Sequence, residues 1–127
     1  MSASRTATST AENRVAPERL RELVVEALEN RKGRDIVALD VRRLTDITDF
    51  MVIASGGSNR HVRALVDQVI EAARLGRHQV LGVEGRESAE WVLLDLGDVV
   101  VHVMQAAARE FYDLERLWQP LGAGATE

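Results

Sequence analysis

The segment WVLLDLGDVVVHVM, from Trp91 to Met104, constrains this chain more than any other, because it reads as two strands joined by a two-residue turn. Gly97 supplies the positive φ that such a turn requires, and the turn in turn fixes the pairing register. Leu96 then faces Val99, Leu94 faces Val101 and Val92 faces Val103, so one face of the hairpin is wholly aliphatic and belongs to a core. The other face sets Asp95 beside Val100, Leu93 beside His102 and Trp91 beside Met104. Apolar bulk with a carboxylate and an imidazole set into it suits a surface that docks onto a partner. It also suits a sheet covered by helices on both sides. In that second reading Trp91 and Met104 lie under a helix and a neighbouring carbonyl satisfies His102.

The rest of the chain supplies the elements such a hairpin needs. Pro17 sits where a first helical position belongs. Leu20, Leu23, Val24, Ala27 and Leu28 follow the i, i+3, i+4 rule, with Gly33 as the expected end. Asp35 to Val41 and the fully apolar Phe50 to Ala54 read as strands, linked by an exposed loop over 42–49. The loop Ser55-Gly56-Gly57-Ser58-Asn59 leads into a second helix with a buried stripe of Val62, Leu65, Val66, Val69, Ile70 and Ala73, closed by Gly76. Gln79 to Val83 reads as a third strand, ahead of hairpin strands Trp91 to Leu96 and Val99 to Met104. One last helical segment carries Phe111, Leu114, Leu117 and Trp118. The order α-β-β-α-β-β-β-α predicts a single α/β domain, a mixed sheet flanked by helices. Its expected bounds are 15–119, between a disordered extension over 1–14 and a disordered tail over 120–127. The extension lacks the amphipathic arginine face of a transit peptide.

Composition narrows the chemistry. At 127 residues the chain buries one core without staples, and having no cysteine it has neither disulfides nor thiolate metal sites. That usage fits a reducing, cytoplasmic setting. No apolar run is long enough for a membrane span. A net charge of −4 argues against a broad nucleic-acid-binding face and suits a basic protein partner.

No constellation of residues makes a convincing active site. The Gly-rich loop over 55–59, between strand and helix, invites a nucleotide-binding or nucleotidyltransferase reading. It lacks the Lys-Ser/Thr of a P-loop. The acidic pairs Asp46 with Asp49 and Asp95 with Asp98 lack the alternate spacing that projects two carboxylates from one strand face to hold Mg²⁺. A turn followed by a helix cap at Ser58 or Asn59 accounts for the loop more simply. His61, His78 and His102 have no metal-ligand spacing, so no metal or cofactor is expected. The basic cluster Arg31, Lys32 and Arg34, with Arg42 and Arg43 nearby, has the charge to touch phosphates, although such a run is commonly a solvated face.

Taken in order, DIVALDV, LTDITDFMVIASGGSNRHVRALVD, GVEG, EWVLLDLGDVVVHVM and REFYDLERLW resemble the ribosome silencing factors, also called the Iojap family. The resemblance covers about Leu20 to Trp118. It implies a nucleotidyltransferase-like fold that has lost its metal carboxylates, and no catalysis. It also implies binding to ribosomal protein number fourteen of the large subunit, where the small subunit docks. Subunit joining is thereby blocked and translation repressed when nutrients run short. A homodimer when free, on overlapping surface, and at most a minor contact with ribosomal RNA are further implications. The implied docking residues are Trp91, Leu93, Asp95, Val100, His102, Met104 and Tyr112. Gly57, where a threonine is common, and Ala106-Ala107, where proline or acidic residues are common, depart from the family pattern.

Overall fold

The computed structural model describes residues 16–118. The expected disordered segments 1–14 and 120–127 lie outside the described residues. Helix α1 (Pro17–Asn30) begins with Pro17 just inside its start and buries Leu20, Val24, Ala27 and Leu28. The Gly33 amide then donates back to the Leu28 carbonyl at 2.8 Å, which turns the chain into β1 (Arg34–Asp40). Strand β2 (Phe50–Gly56) leads into α2 (Asn59–Leu75), which buries Val62, Leu65, Val66, Val69 and Ala73; Ile70 is only partly buried. The hairpin strands are β4 (Trp91–Asp95) and β5 (Val99–Gln105), preceded by the short β3 (Gly82–Glu84).

The five strands form one mixed sheet in the order β1-β2-β5-β4-β3. The β2/β5 pair is parallel, and the other three pairs are antiparallel. A parallel pair needs a long crossover, and α2 with β3 and β4 provides it. Every residue of β2 is buried. That explains why its stretch Phe50 to Ala54 is apolar throughout and does not alternate: it lies inside the sheet, with material on both faces.

Strand β2 runs on through Ser55 and Gly56, read from the sequence as loop, and two further strands are displaced from their sequence expectation. The first is shifted by one residue to Arg34–Asp40, although Val41 is fully buried and its N–H donates to the Asp49 carbonyl at 3.0 Å. The third runs over Gly82–Glu84 instead of Gln79 to Val83, with the Leu81 N–H joined to the Asp95 carbonyl at 2.8 Å.

Helices α1 and α2 pack together on one sheet face over Phe50, Val52, Ala54, Val92, Leu94, Val101 and Val103. Each Val, Leu or Phe side chain buried there contributes about 1.5–3 kcal/mol. The opposite face carries a smaller cluster of Val41, Met51, Ile53, Met104 and Leu114, with partly buried Leu39, Trp91, Ala108 and Trp118 against it. Its cover comes from the C-terminal segment. The single last helix expected from sequence is two short ones, α3 (Ala106–Tyr112) and α4 (Leu114–Leu117). Between them Asp113 adopts a left-handed conformation with φ of 49°. The break lets α4 turn Leu114 onto the sheet.

Candidate docking surface

The hairpin pairs in the expected register: Trp91 with Met104, Val92 with Val103, Leu93 with His102, Leu94 with Val101 and Asp95 with Val100. Gly97 has φ of 87°, and its N–H donates to Asp95 Oδ1 at 2.9 Å, so the Asp95 carboxylate helps close the turn. The far end of the hairpin is set by Gly85, also at positive φ (85°), where any side chain would run into the Trp91 carbonyl. Burial alternates along β4: Val92 and Leu94 are buried, whereas Trp91, Leu93 and Asp95 are half-buried. Val100 is half-buried beside them.

Trp91 organises the partly open face. Its indole Nε1 donates to His102 Nδ1 at 2.9 Å. Its ring meets the Tyr112 ring with centroids 4.8 Å apart, and Phe111 meets Tyr112 edge-on at 4.9 Å. Phe111 and Tyr112 are 80% and 51% exposed, so three aromatic rings form a continuous ledge at the rim of the sheet. Aromatic rings with one polar tip are the side chains that most often anchor protein interfaces.

Two of the residues expected on this surface lie beneath it. Met104 is fully buried, because the C-terminal segment covers the β2 and β5 part of the face and brings Leu114 into the same cluster. His102 is 4% exposed, and burial pushes its pKa down from 6.5 to about 4. The neutral ring therefore accepts from Trp91 and holds the indole in place. The Trp91 N–H, not a backbone carbonyl, is what it bonds.

A residue that sequence reasoning passed over fixes the cover. Arg109 of α3 is 9% exposed; its Nε donates to Glu115 Oε1 at 2.9 Å and its Nη1 to Ser55 Oγ at 2.8 Å. The same Nη1 approaches the Arg34 carbonyl at 3.5 Å. One side chain thus joins α3, α4, β2 and β1, and holds Tyr112 one helical turn away against Trp91. Glu115 stands six residues along, outside helical pairing distance, so local spacing gives no hint of this bond.

The Gly-rich loop is committed to holding the fold together. Ser58 caps α2, its Oγ accepting from the His61 N–H at 3.1 Å. The Gly57 N–H donates to His61 Nδ1 at 2.9 Å, and His61 Nε2 lies 2.8 Å from the Arg31 carbonyl. With Nδ1 accepting, Nε2 carries the proton and donates to Arg31, which ties the α1–β1 turn to the start of α2. The glycine at 57 leaves room for the Arg34 guanidinium, which would lie 3.1 Å from a side chain's first carbon. Among the described residues no group of three His, Cys, Asp or Glu is placed to hold a metal ion. Two grooves of about 430 and 360 Å³ lie along α2 and beside α1, lined by neither loop nor hairpin residues. No helix among the described residues is long and apolar enough to cross a membrane.

Fold and surface together define a class: an α/β module with a partly exposed aromatic ledge at the rim of its sheet. The comparisons give the family. Residues 14–126 match the model described as "Ribosomal silencing factor during starvation". The chain is 50% identical over 96 residues to ribosomal silencing factor RsfS of Chromobacterium violaceum, covering 76% of this chain and 79% of that protein. It is 44% identical over 97 residues to RsfS of Haemophilus influenzae, covering 76% and 95%. A crystal structure of a Chromobacterium violaceum protein superposes with a TM-score of 0.81 at 45% identity, covering 84% of this chain and 91% of that one. The mouse protein named mitochondrial assembly of ribosomal large subunit protein 1 is 32% identical over 100 residues, 76% of this chain and 44% of that protein. The chain belongs to the ribosomal silencing factor family. The description is that of a regulator of translation, not of an enzyme.

Proposed function

We propose that this protein binds the large ribosomal subunit through ribosomal protein number fourteen, on the face where the small subunit docks, and so represses translation when nutrients are limiting. The observation that carries the reading is the ledge of Trp91, Tyr112 and Phe111 beside half-buried Leu93, Asp95 and Val100. A core face would have closed over these residues, as α1 and α2 close over Val92 and Leu94. His102 and Met104 support the ledge from below. When free, two copies pair through the same apolar surface, which shields it from water.

Sedimentation through sucrose tests the reading. The protein should travel with purified large subunits and not with small ones. Added before the subunits are mixed, it should lower the yield of complete ribosomes; added afterwards, it should do less, because the site is then covered. Equal binding to both subunits that survives high salt would contradict the proposal.

A further inference from the structure

The basic residues near the first strand look like one cluster in the sequence, but the fold divides them. Arg42 lies just past the far end of β1, a strand that spans about 20 Å from Arg34 to Asp40 by its rise. There it pairs with Asp40 at 2.6 Å and with Glu18 at 3.0 Å. Arg31, Lys32 and Arg34 stay at the near end and gain a fourth cation, Arg60, from the first turn of α2. The His61 bond to the Arg31 carbonyl and the Arg34 guanidinium over Gly57 bring these two elements together. All four side chains are exposed, and none forms an ion pair among the described residues. Glu29 and Asp35, the acidic residues adjoining them in sequence, form no ion pair either. A chain of net charge −4 thus sets four cations against two carboxylates at one end of its sheet, a net positive patch with no ion pair of its own among the described residues.

The position of this end gives the cations a partner. The Arg34 carbonyl is 3.5 Å from Arg109 Nη1, and one turn further along α3 Tyr112 meets Trp91. The cationic end therefore borders the aromatic ledge. A surface seated on a ribosomal protein in a large subunit is surrounded by ribosomal RNA, whose phosphates are the dense anion within reach. We propose that Arg31, Lys32, Arg34 and Arg60 contact the phosphate backbone of ribosomal RNA flanking the docking site, adding an electrostatic rim to an apolar anchor. The contact is not sequence-specific: nothing in the cluster is shaped to read a base edge. The inference rests on the docking reading above, since it places the RNA beside the ledge.

The test compares the wild-type chain with a variant carrying Arg31→Gln, Lys32→Gln, Arg34→Gln and Arg60→Gln. Two probes are used, purified large subunits and isolated ribosomal protein fourteen, each across a potassium chloride series. Each phosphate contact adds about 0.7–0.9 to the steepness of log affinity against log salt. On large subunits the variant should bind at least about tenfold more weakly at low salt, with a slope flatter by about 3. On the isolated protein its affinity should be unchanged. Unaltered affinity and slope on large subunits would overturn the RNA contact while leaving docking intact. An equal loss on the isolated protein would overturn it too, assigning the cations to an acidic protein surface. Failure of the wild-type chain to bind either probe would remove the docking reading, and this proposal with it. A thermal melt controls for folding; if the fourfold variant melts early, Lys32→Gln with Arg60→Gln should show about half the slope change.

Discussion

The two faces of one hairpin, built from alternate residues of the same strands, meet different fates. Val92, Leu94, Val101 and Val103 have no exposed surface and lie under two long helices. On the reverse, Met104 and His102 are covered while Trp91, Leu93, Asp95 and Val100 stay half-open, because the cover there is two short helices reaching only part of the sheet. Strand propensity does not separate the faces, since both are rich in apolar residues. What separates them is the length of the element laid on top, and the half-covered face is where apolar surface stays partly exposed.

The largest expected effect is on the closed face. Leu94→Glu places a carboxylate where no water or cation can reach it, at a cost of about 4 kcal/mol or more, comparable to the whole stability of a small domain. Circular dichroism should show it largely unfolded; a native-like melt would mean the two faces are less different than their burial implies.

His102 sharpens the comparison through pH. Its folded pKa lies below the ordinary 6.5, at about 4, because it is buried. The unfolded chain therefore takes up this proton first as the pH falls. The stability that the neutral ring contributes is complete above about pH 6.5 and is lost as the pH drops towards 4, up to about 3 kcal/mol. Protonation also puts a proton on the Nδ1 that accepts from Trp91. Urea titrations at pH 7 and pH 4.5 should differ by less in His102→Gln than in wild type, and an unchanged difference would assign the acid sensitivity elsewhere.

Arg109→Ala should cost about 2 kcal/mol, because it strands Ser55 and a largely covered Glu115 together. Its more telling readout is Tyr112, whose ring should leave Trp91. Indole fluorescence should shift towards that of exposed tryptophan, and Arg109→Lys should restore it only in part, having no planar fork. Trp91→Phe is smaller still. It keeps the ring but leaves His102 Nδ1 without a donor, for about 1 kcal/mol in a thermal melt.

Much of this was legible in the sequence, and the rest was out of reach for identifiable reasons. The hairpin register follows from Gly97 and two-residue alternation, both local. The stripes Leu20, Val24, Ala27, Leu28 and Val62, Leu65, Val66, Val69, Ala73 follow from helical periodicity, also local. The pairing of β2 with β5 does not, since it joins segments almost fifty residues apart and Phe50 to Ala54 carries no alternation to orient it. The burial of Met104 depends on the left-handed Asp113 folding α4 back, and Asp is not the usual residue for that conformation. Arg109 reads as a surface arginine until the fold brings Ser55, 54 positions away, to its guanidinium.

The central claim, that the half-open face is the docking face, is tested most directly at Leu93, the neighbour of Leu94 on the same strand. Leu93→Glu should melt within about 1 kcal/mol of wild type, as a half-exposed position allows. It should nevertheless bind purified large subunits at least about thirtyfold more weakly, a loss of about 2 kcal/mol. Wild-type affinity in a folded Leu93→Glu protein would contradict the account and place the docking surface elsewhere on the molecule.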